Sequence, residues 1–237
     1  MSNLGFLDHA FVLIVFLIYP VYSKLTFNGV LEDIRKRGER GRIAAYQEVI
    51  LTWIVFAICV SGMWVLLDRE WADLGIRVAG AVPLAVGLAI AAAFIALFII
   101  PLRNISRSPE RFGELDSQMG DFGLFMPRSK TEESWFKGVS INAGLFEELI
   151  FRGYLVWYLE HFFGLWWTAV IAALWFGFAH MYQGLKQLPG ILLVSVVAVS
   201  LFVHTRSLVV PVLFHIFLDA LQGHYIAKIR QLQASAA

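Results

Sequence analysis

Long apolar runs broken by short charged connections constrain this chain more than any other feature of its sequence. A run of about 20 apolar residues reads as a helix that crosses a bilayer. Such runs cover residues 4–22, 49–67, 81–101, 131–162, 165–182, 190–203 and 208–229. Pro20 falls near the end of the first and Pro211 in the first turn of the last, where proline is tolerated. Hydrophobic residues make up 59% of the 237, charged residues 16%, and the mean hydropathy is +0.69. That is too apolar for an ordinary soluble domain. The expected fold is all-α: a polytopic transmembrane helical bundle of about seven spanning helices, or eight with a short amphipathic one.

The connections carry the charge. Residues 24–49 hold Lys24, Arg35, Lys36, Arg37, Arg40 and Arg42 among acids, and are expected to form a solvated loop with a short amphipathic helix. Residues 102–130 are the longest polar stretch, irregular at Gly113, Gly120, Gly123 and Pro127; they form either a linker or a loop folded over the membrane face. Ser129-Lys130-Thr131-Glu132 is a capping box and starts the next helix. The chain thus divides into residues 1–130, N-terminal transmembrane helices and basic loops, and residues 131–237, a helical core that carries the ionisable groups at membrane depth, within one integrated membrane domain. Both basic loops fall on one side, which the positive-inside rule places in the cytoplasm. The N-terminus is then outside and the C-terminus inside, in a bacterial plasma membrane. The N-terminus has no basic n-region and carries Asp8, so the first run is expected to be a retained helix. A net charge of +1 offers no basic field for nucleic acid. Cys59 is the single cysteine, which excludes an internal disulfide and a cysteine-based zinc site.

Ionisable groups at bilayer depth are costly and mark function. Glu147 and Glu148 lie about 15 Å along their helix from Lys137, at 1.5 Å per residue, near mid-bilayer. Neighbours on a helix point about 100° apart, so the two acids face different partners. Glu148 and Arg152 are spaced i,i+4 and are expected to pair, which leaves Glu147 as a base. His180 ends the next span, and His215 and Asp219 share a face of the last. Convergence of Glu147, His180, His215 and Asp219 on one cavity supports hydrolysis, with a carboxylate and an imidazole activating water and a second imidazole supporting the oxyanion. The same four residues are also a candidate zinc set, two histidines and carboxylates with an open position. The His-Glu-x-x-His and Gly-x-Ser-x-Gly patterns are absent. His9, His161, His204 and His224 are expected at boundaries and loops, and the tryptophans, Trp135, Trp157, Trp166 and Trp167 among them, at the membrane interfaces.

Glu147-Glu148-x-x-x-Arg152, Phe176-x-x-x-His180 and His215-x-x-x-Asp219, in that order on hydrophobic helices, resemble the three motifs of the CAAX prenyl protease and bacteriocin-processing family of intramembrane endopeptidases. The resemblance covers about residues 125–230. It implies that Glu147 and His180 activate the attacking water, that His215 and Asp219 support the oxyanion, and that Glu148, Arg152 and Phe176 hold the site together. It also implies a peptide or lipidated-protein substrate, CAAX-type C-terminal processing among the options, and leaves glutamate-type and metal-dependent chemistry both open. Eukaryotic CAAX-processing members have Asn where this chain has Asp219, and an ionised Asp cannot donate to an oxyanion. The alternative class is a catalytically inactive membrane protein, an adaptor or a bacteriocin-immunity protein.

Overall fold

The computed structural model describes residues 4–108 and 111–236, and among them it contains helices and no strands. The first helix, α1, runs unbroken over Phe6–Arg37. Its middle, Leu13–Ile18, is a π-helical stretch, and Pro20 follows in the next turn. A proline withholds the N–H that would bond four residues back. The carbonyl at that position, Phe16, instead takes the indole N–H of Trp175 at 2.6 Å. The proline therefore becomes an attachment point between helices.

Residues 24–49 are not the solvated loop expected from their charge. Helix α1 continues to Arg37, Gly38 reverses the chain at φ 61°, and α2 spans Glu39–Leu66. Phe27, Val30, Leu31 and Ile34 recur at helical spacing beneath the charges, and Leu31 and Ile34 are buried. Only a residue free to adopt positive φ makes so tight a reversal cheaply. The charges lie outside, as i,i+4 pairs such as Arg37–Asp33 at 2.8 Å. Helix α3 spans Ala81–Ile105. Of the two readings of residues 102–130, the folded one holds. A short α4, Phe112–Met119, leads through a 3-10 turn, Gly120–Leu124, and buries Leu115, Met119 and Met126. Tyr46 of α2 donates to the Phe125 carbonyl at 2.7 Å.

Helix α5 begins at Lys130 with the expected capping box. The Ser129 hydroxyl accepts from the Glu132 amide, and the Glu132 carboxylate accepts from the amides of Arg128 and Ser129. The other oxygen of the same carboxylate takes Arg42 Nε at 2.6 Å, pinning α5 to α2. The α-helix runs Lys130–Glu148, passes through a π-helical stretch at Leu149–Leu155, and ends at Leu159. Helices α6 (Leu165–Ala179), α7 (Leu188–Thr205) and α8 (Val209–Ala236) complete the bundle.

Among the described residues, five helices are long and apolar enough to cross a membrane: α1, α2, α3, α7 and α8. Helix α6 is apolar but shorter, and the rod over residues 130–159 carries the acids and Arg152. The long rods close into a ring. Helix α1 packs on α2, α2 on α5, α5 on α8, α8 on α3 and α7, α7 on α6, and α6 returns to α1. The contact of α5 with α8 is close because Gly144 faces Ile216 with no room for a Cβ between them. At one end of the bundle, Asp8 and Arg69 form a fully enclosed ion pair at 2.7 Å, with the Tyr154 hydroxyl donating to Asp8. At that end too, Arg206 pairs with Glu160, and the Ser207 hydroxyl donates to the Arg77 carbonyl. The basic segments gather at the opposite end. The protein is an integral membrane helical bundle.

Candidate active site

The ring encloses a cavity of about 600 Å³ lined by residues of α1, α2, α3, α5, α6, α7 and α8 and capped at the basic end by Met119, Phe122, Phe125 and Met126. Glu147, His180, His215 and Asp219 all line it. The four residues that sequence places on three helices are thus brought to one space.

Their pairing follows from the rotation of Glu147 and Glu148 about α5. Glu147, 6% exposed, faces α6, where its Oε2 lies 3.6 Å from His180 Nε2. That is beyond hydrogen-bond length. The same Oε2 is buried and has no hydrogen-bond partner. His180 Nδ1 lies 2.8 Å from the Phe176 carbonyl. A carbonyl only accepts, so Nδ1 carries a proton, and in the neutral ring Nε2 presents its lone pair toward Glu147. A carboxylate oxygen and an imidazole lone pair thus face each other across 3.6 Å in the cavity wall.

Glu148 faces α8 and is wholly buried. Its Oε1 receives Arg152 Nη1 at 3.0 Å, the expected i,i+4 pair, and also lies 2.8 Å from His215 Nδ1. The sequence reading aimed Glu147 at both histidines; His215 instead belongs to Glu148. The reason is the 100° step between adjacent helical residues, which gives each acid a different neighbouring helix. On its other nitrogen, His215 Nε2 stands 3.4 Å from Asp219 Oδ2. His215 therefore sits between two carboxylates.

Arg152 is the hub of the supporting shell. Besides Glu148, it donates through Nη2 to Ser195 Oγ of α7 at 3.1 Å. Its guanidinium lies 4.3 Å from the centre of the Phe176 ring, whose ring in turn stacks on His180 at 4.1 Å between centroids. One arginine thus ties α5, α6 and α7 around the two histidines. Sequence reasoning missed Ser195, Tyr19 and Tyr182. Ser195 is a lone hydroxyl in an apolar span, a weak signal. Tyr19 and Tyr182 line the same cavity, and their positions depend on how α1 closes the ring. Tyr182 accepts from Gln183 at 3.2 Å.

The peripheral histidines lie away from these pairs. His9 meets the Tyr158 hydroxyl, His161 the Trp157 carbonyl and His224 Glu133, and His204 is exposed. Among the described residues, no group of three or more His, Cys, Asp and Glu side chains is placed to hold a metal ion. The candidate donors stand in successive pairs along the cavity wall, an arrangement that does not fit a zinc ion.

No curated protein and no solved structure matches the chain. Residues 132–221, which hold every one of these motif residues, match the family model described as type II CAAX prenyl endopeptidase Rce1-like, the family that the motifs resemble.

Proposed function

We propose that the protein is an intramembrane endopeptidase that hydrolyses a peptide bond of a membrane-associated substrate, with Glu147 as the base. The observation that carries this reading is the buried, unpartnered Glu147 Oε2 set 3.6 Å from His180 Nε2 in the cavity wall. A water held there donates one hydrogen to each. Glu147 takes the proton as the oxygen attacks the carbonyl carbon of the scissile bond, and His180 orients the attack. The negative charge moves to the former carbonyl oxygen. The proton held by Glu147 passes to the departing nitrogen as the carbon–nitrogen bond breaks.

The oxyanion falls to His215. Both of its ring nitrogens face carboxylates, which only accept when ionised, so both nitrogens are set to donate. The Nδ1 contact to Glu148 is short and fixes the ring. The Nε2 contact to Asp219 is long at 3.4 Å, so that N–H is left to be shared with a developing oxyanion. Asp219 then does not donate to the oxyanion itself; it holds His215 ready. This gives aspartate a role that suits its charge, where asparagine would act as a donor.

The cavity wall divides by chemistry. Helices α3, α4 and α7 contribute Phe98, Leu102, Leu115, Met119, Ile191 and Val194, an apolar face for a lipid or apolar side chain. Helices α1 and α2 contribute Tyr19, Tyr22, Thr26, Glu48 and Thr52 among apolar side chains such as Val15, Val49 and Trp53, and so offer hydrogen-bonding groups for a peptide backbone. This division and the family match support a lipidated peptide as substrate, with CAAX-type processing within the class. In this reading the basic end faces the cytoplasm of a bacterial plasma membrane.

The test is cleavage of a membrane-associated reporter peptide by the purified chain and by Glu147→Gln. Retained folding with cleavage reduced by about 10²-fold or more supports the assignment. Wild-type rates in Glu147→Gln sink it.

A further inference from the structure

The charge of the cavity points to the kind of peptide it admits. Glu48, Glu147 and Asp219 line it, and no Lys or Arg does among the described residues; none of the residues left undescribed is Lys or Arg. The nearby cations are already engaged. Lys24 donates to the Met181 carbonyl at 3.2 Å, and Arg152 stands behind the Phe176 ring and neutralises Glu148. Glu147 Oε2 is buried without a hydrogen-bond partner, and Asp219 stands 3.4 Å from His215. Glu48 is exposed at the α1–α2 edge of the cavity, and no ion pair to its carboxylate is among the described contacts. Tyr19 lines the same cavity as Glu48 and Glu147.

We infer that the cavity selects a peptide segment carrying a Lys or Arg near the scissile bond, and that Glu48 is the residue that recognises the cation. The assignment of the ligand as a peptide rests on the endopeptidase reading; the preference for positive charge rests on the cavity alone. A cation entering this space meets carboxylates in surroundings less polar than water, where their attraction is several times stronger. Tyr19 and Tyr22 line the same cavity and offer aromatic rings as a second attraction for an ammonium or guanidinium. Pairing the cation with Glu48 leaves Glu147 free to act as base. An acidic side chain beside the scissile bond meets the carboxylates of Glu48, Glu147 and Asp219, while His215 is already held by two acids, so the selection is repulsive as well as attractive. A lipid chain on the apolar wall is compatible with this, since Glu48 lies on α2 and that wall on α3, α4 and α7.

The experiment measures binding and cleavage separately. The full chain is placed in nanodiscs of zwitterionic lipid, so that the bilayer itself does not sort peptides by charge. Fluorescent peptides are made identical except for Lys, Gln or Glu beside the scissile bond, each with an amidated C-terminus. Binding is read on His180→Ala, which keeps all three cavity carboxylates. The Lys peptide is expected to bind roughly tenfold tighter than the Glu peptide, the Gln peptide between them, and the difference to shrink with added salt. Glu48→Gln is expected to narrow the spread, and Glu48→Lys to reverse the order. Equal binding of all three, preference for the Glu peptide, or an order unchanged by both Glu48 substitutions overturns the proposal. Charge selection without cleavage by the wild-type chain supports it while removing the endopeptidase reading. Cleavage without charge selection does the opposite.

Discussion

At the scale of single residues, the site works by giving each of two adjacent acids its own helix to face. Glu147 meets α6 and stays unpartnered; Glu148 meets α8 and takes both Arg152 and His215. The two therefore differ in what their loss does. Arg152→Ala leaves Glu148 buried without its cation, and removing one member of such a pair costs about 3–5 kcal/mol. The expected outcome is a large fall in thermal stability in detergent, read by tryptophan fluorescence, whereas Glu147→Gln keeps the wild-type melting temperature and loses activity. Phe176→Leu takes away the ring that lies between the Arg152 guanidinium and the His180 imidazole. Its expected effect is on kcat more than KM, because His180 loses its stacked position while the cavity stays open. Much of this was readable in the residues. Charges within an apolar run stand out, and the i,i+4 spacing of Glu148 and Arg152 specifies their pair. The partner of His215 was not readable, because the choice between Glu147 and Glu148 depends on the rotation of α5 relative to α8.

At the scale of elements, close approach and capping decide the geometry. Gly144 lets α5 lie against Ile216 of α8, and that contact is next to the His215–Glu148 bond. Gly144→Leu is expected to push the helices apart and abolish activity, while Gly29→Leu, on α1 where a Cβ meets nothing within 4 Å, leaves activity intact. A peptidase assay on the pair checks this. The Asp8–Arg69 pair anchors the start of α1 to the loop after α2, and Arg69 also lies 4.6 Å from the centre of the Trp157 ring. Asp8→Asn is expected to loosen α1, seen as faster proteolysis of residues near the N-terminus, with α5 to α8 retained. Composition misled at the hairpin of α1 and α2. The charged residues of 24–49 hid an apolar face at helical period, and the buried Leu31 and Ile34 show which signal governs. The start of α5 was legible down to the capping box, because that motif is local.

At the scale of the whole molecule, the basic segments collect at one end of the ring and the Asp8–Arg69 and Arg206–Glu160 pairs at the other. This gives a topology that labelling can read. In a Cys59→Ser background, single cysteines at Arg37 and at Phe163 are expected to react with a membrane-impermeant maleimide from opposite sides, Arg37 from the cytoplasm. Labelling of both from one side would break the arrangement of the bundle, and reversed sidedness would break only its orientation. Elemental analysis of active, chelator-washed protein tests the chemistry at the same scale: full activity without stoichiometric zinc is the expected result.

The sequence by itself determined that this chain is a helical membrane protein, because apolar runs of that length in a bilayer leave a helix as their form, and it identified the ionisable residues that must be sheltered there. Tertiary structure alone decided that seven rods close into a ring, that α4 and its turn fold over one mouth, and that Glu48, Tyr19 and Tyr182 share a wall with Glu147. Helical period states which residues share a face of one helix. It carries no information on which face of which neighbour they meet, and it is that meeting which makes one glutamate a clamp and leaves the other with a bare oxygen in a cavity lined with negative charge.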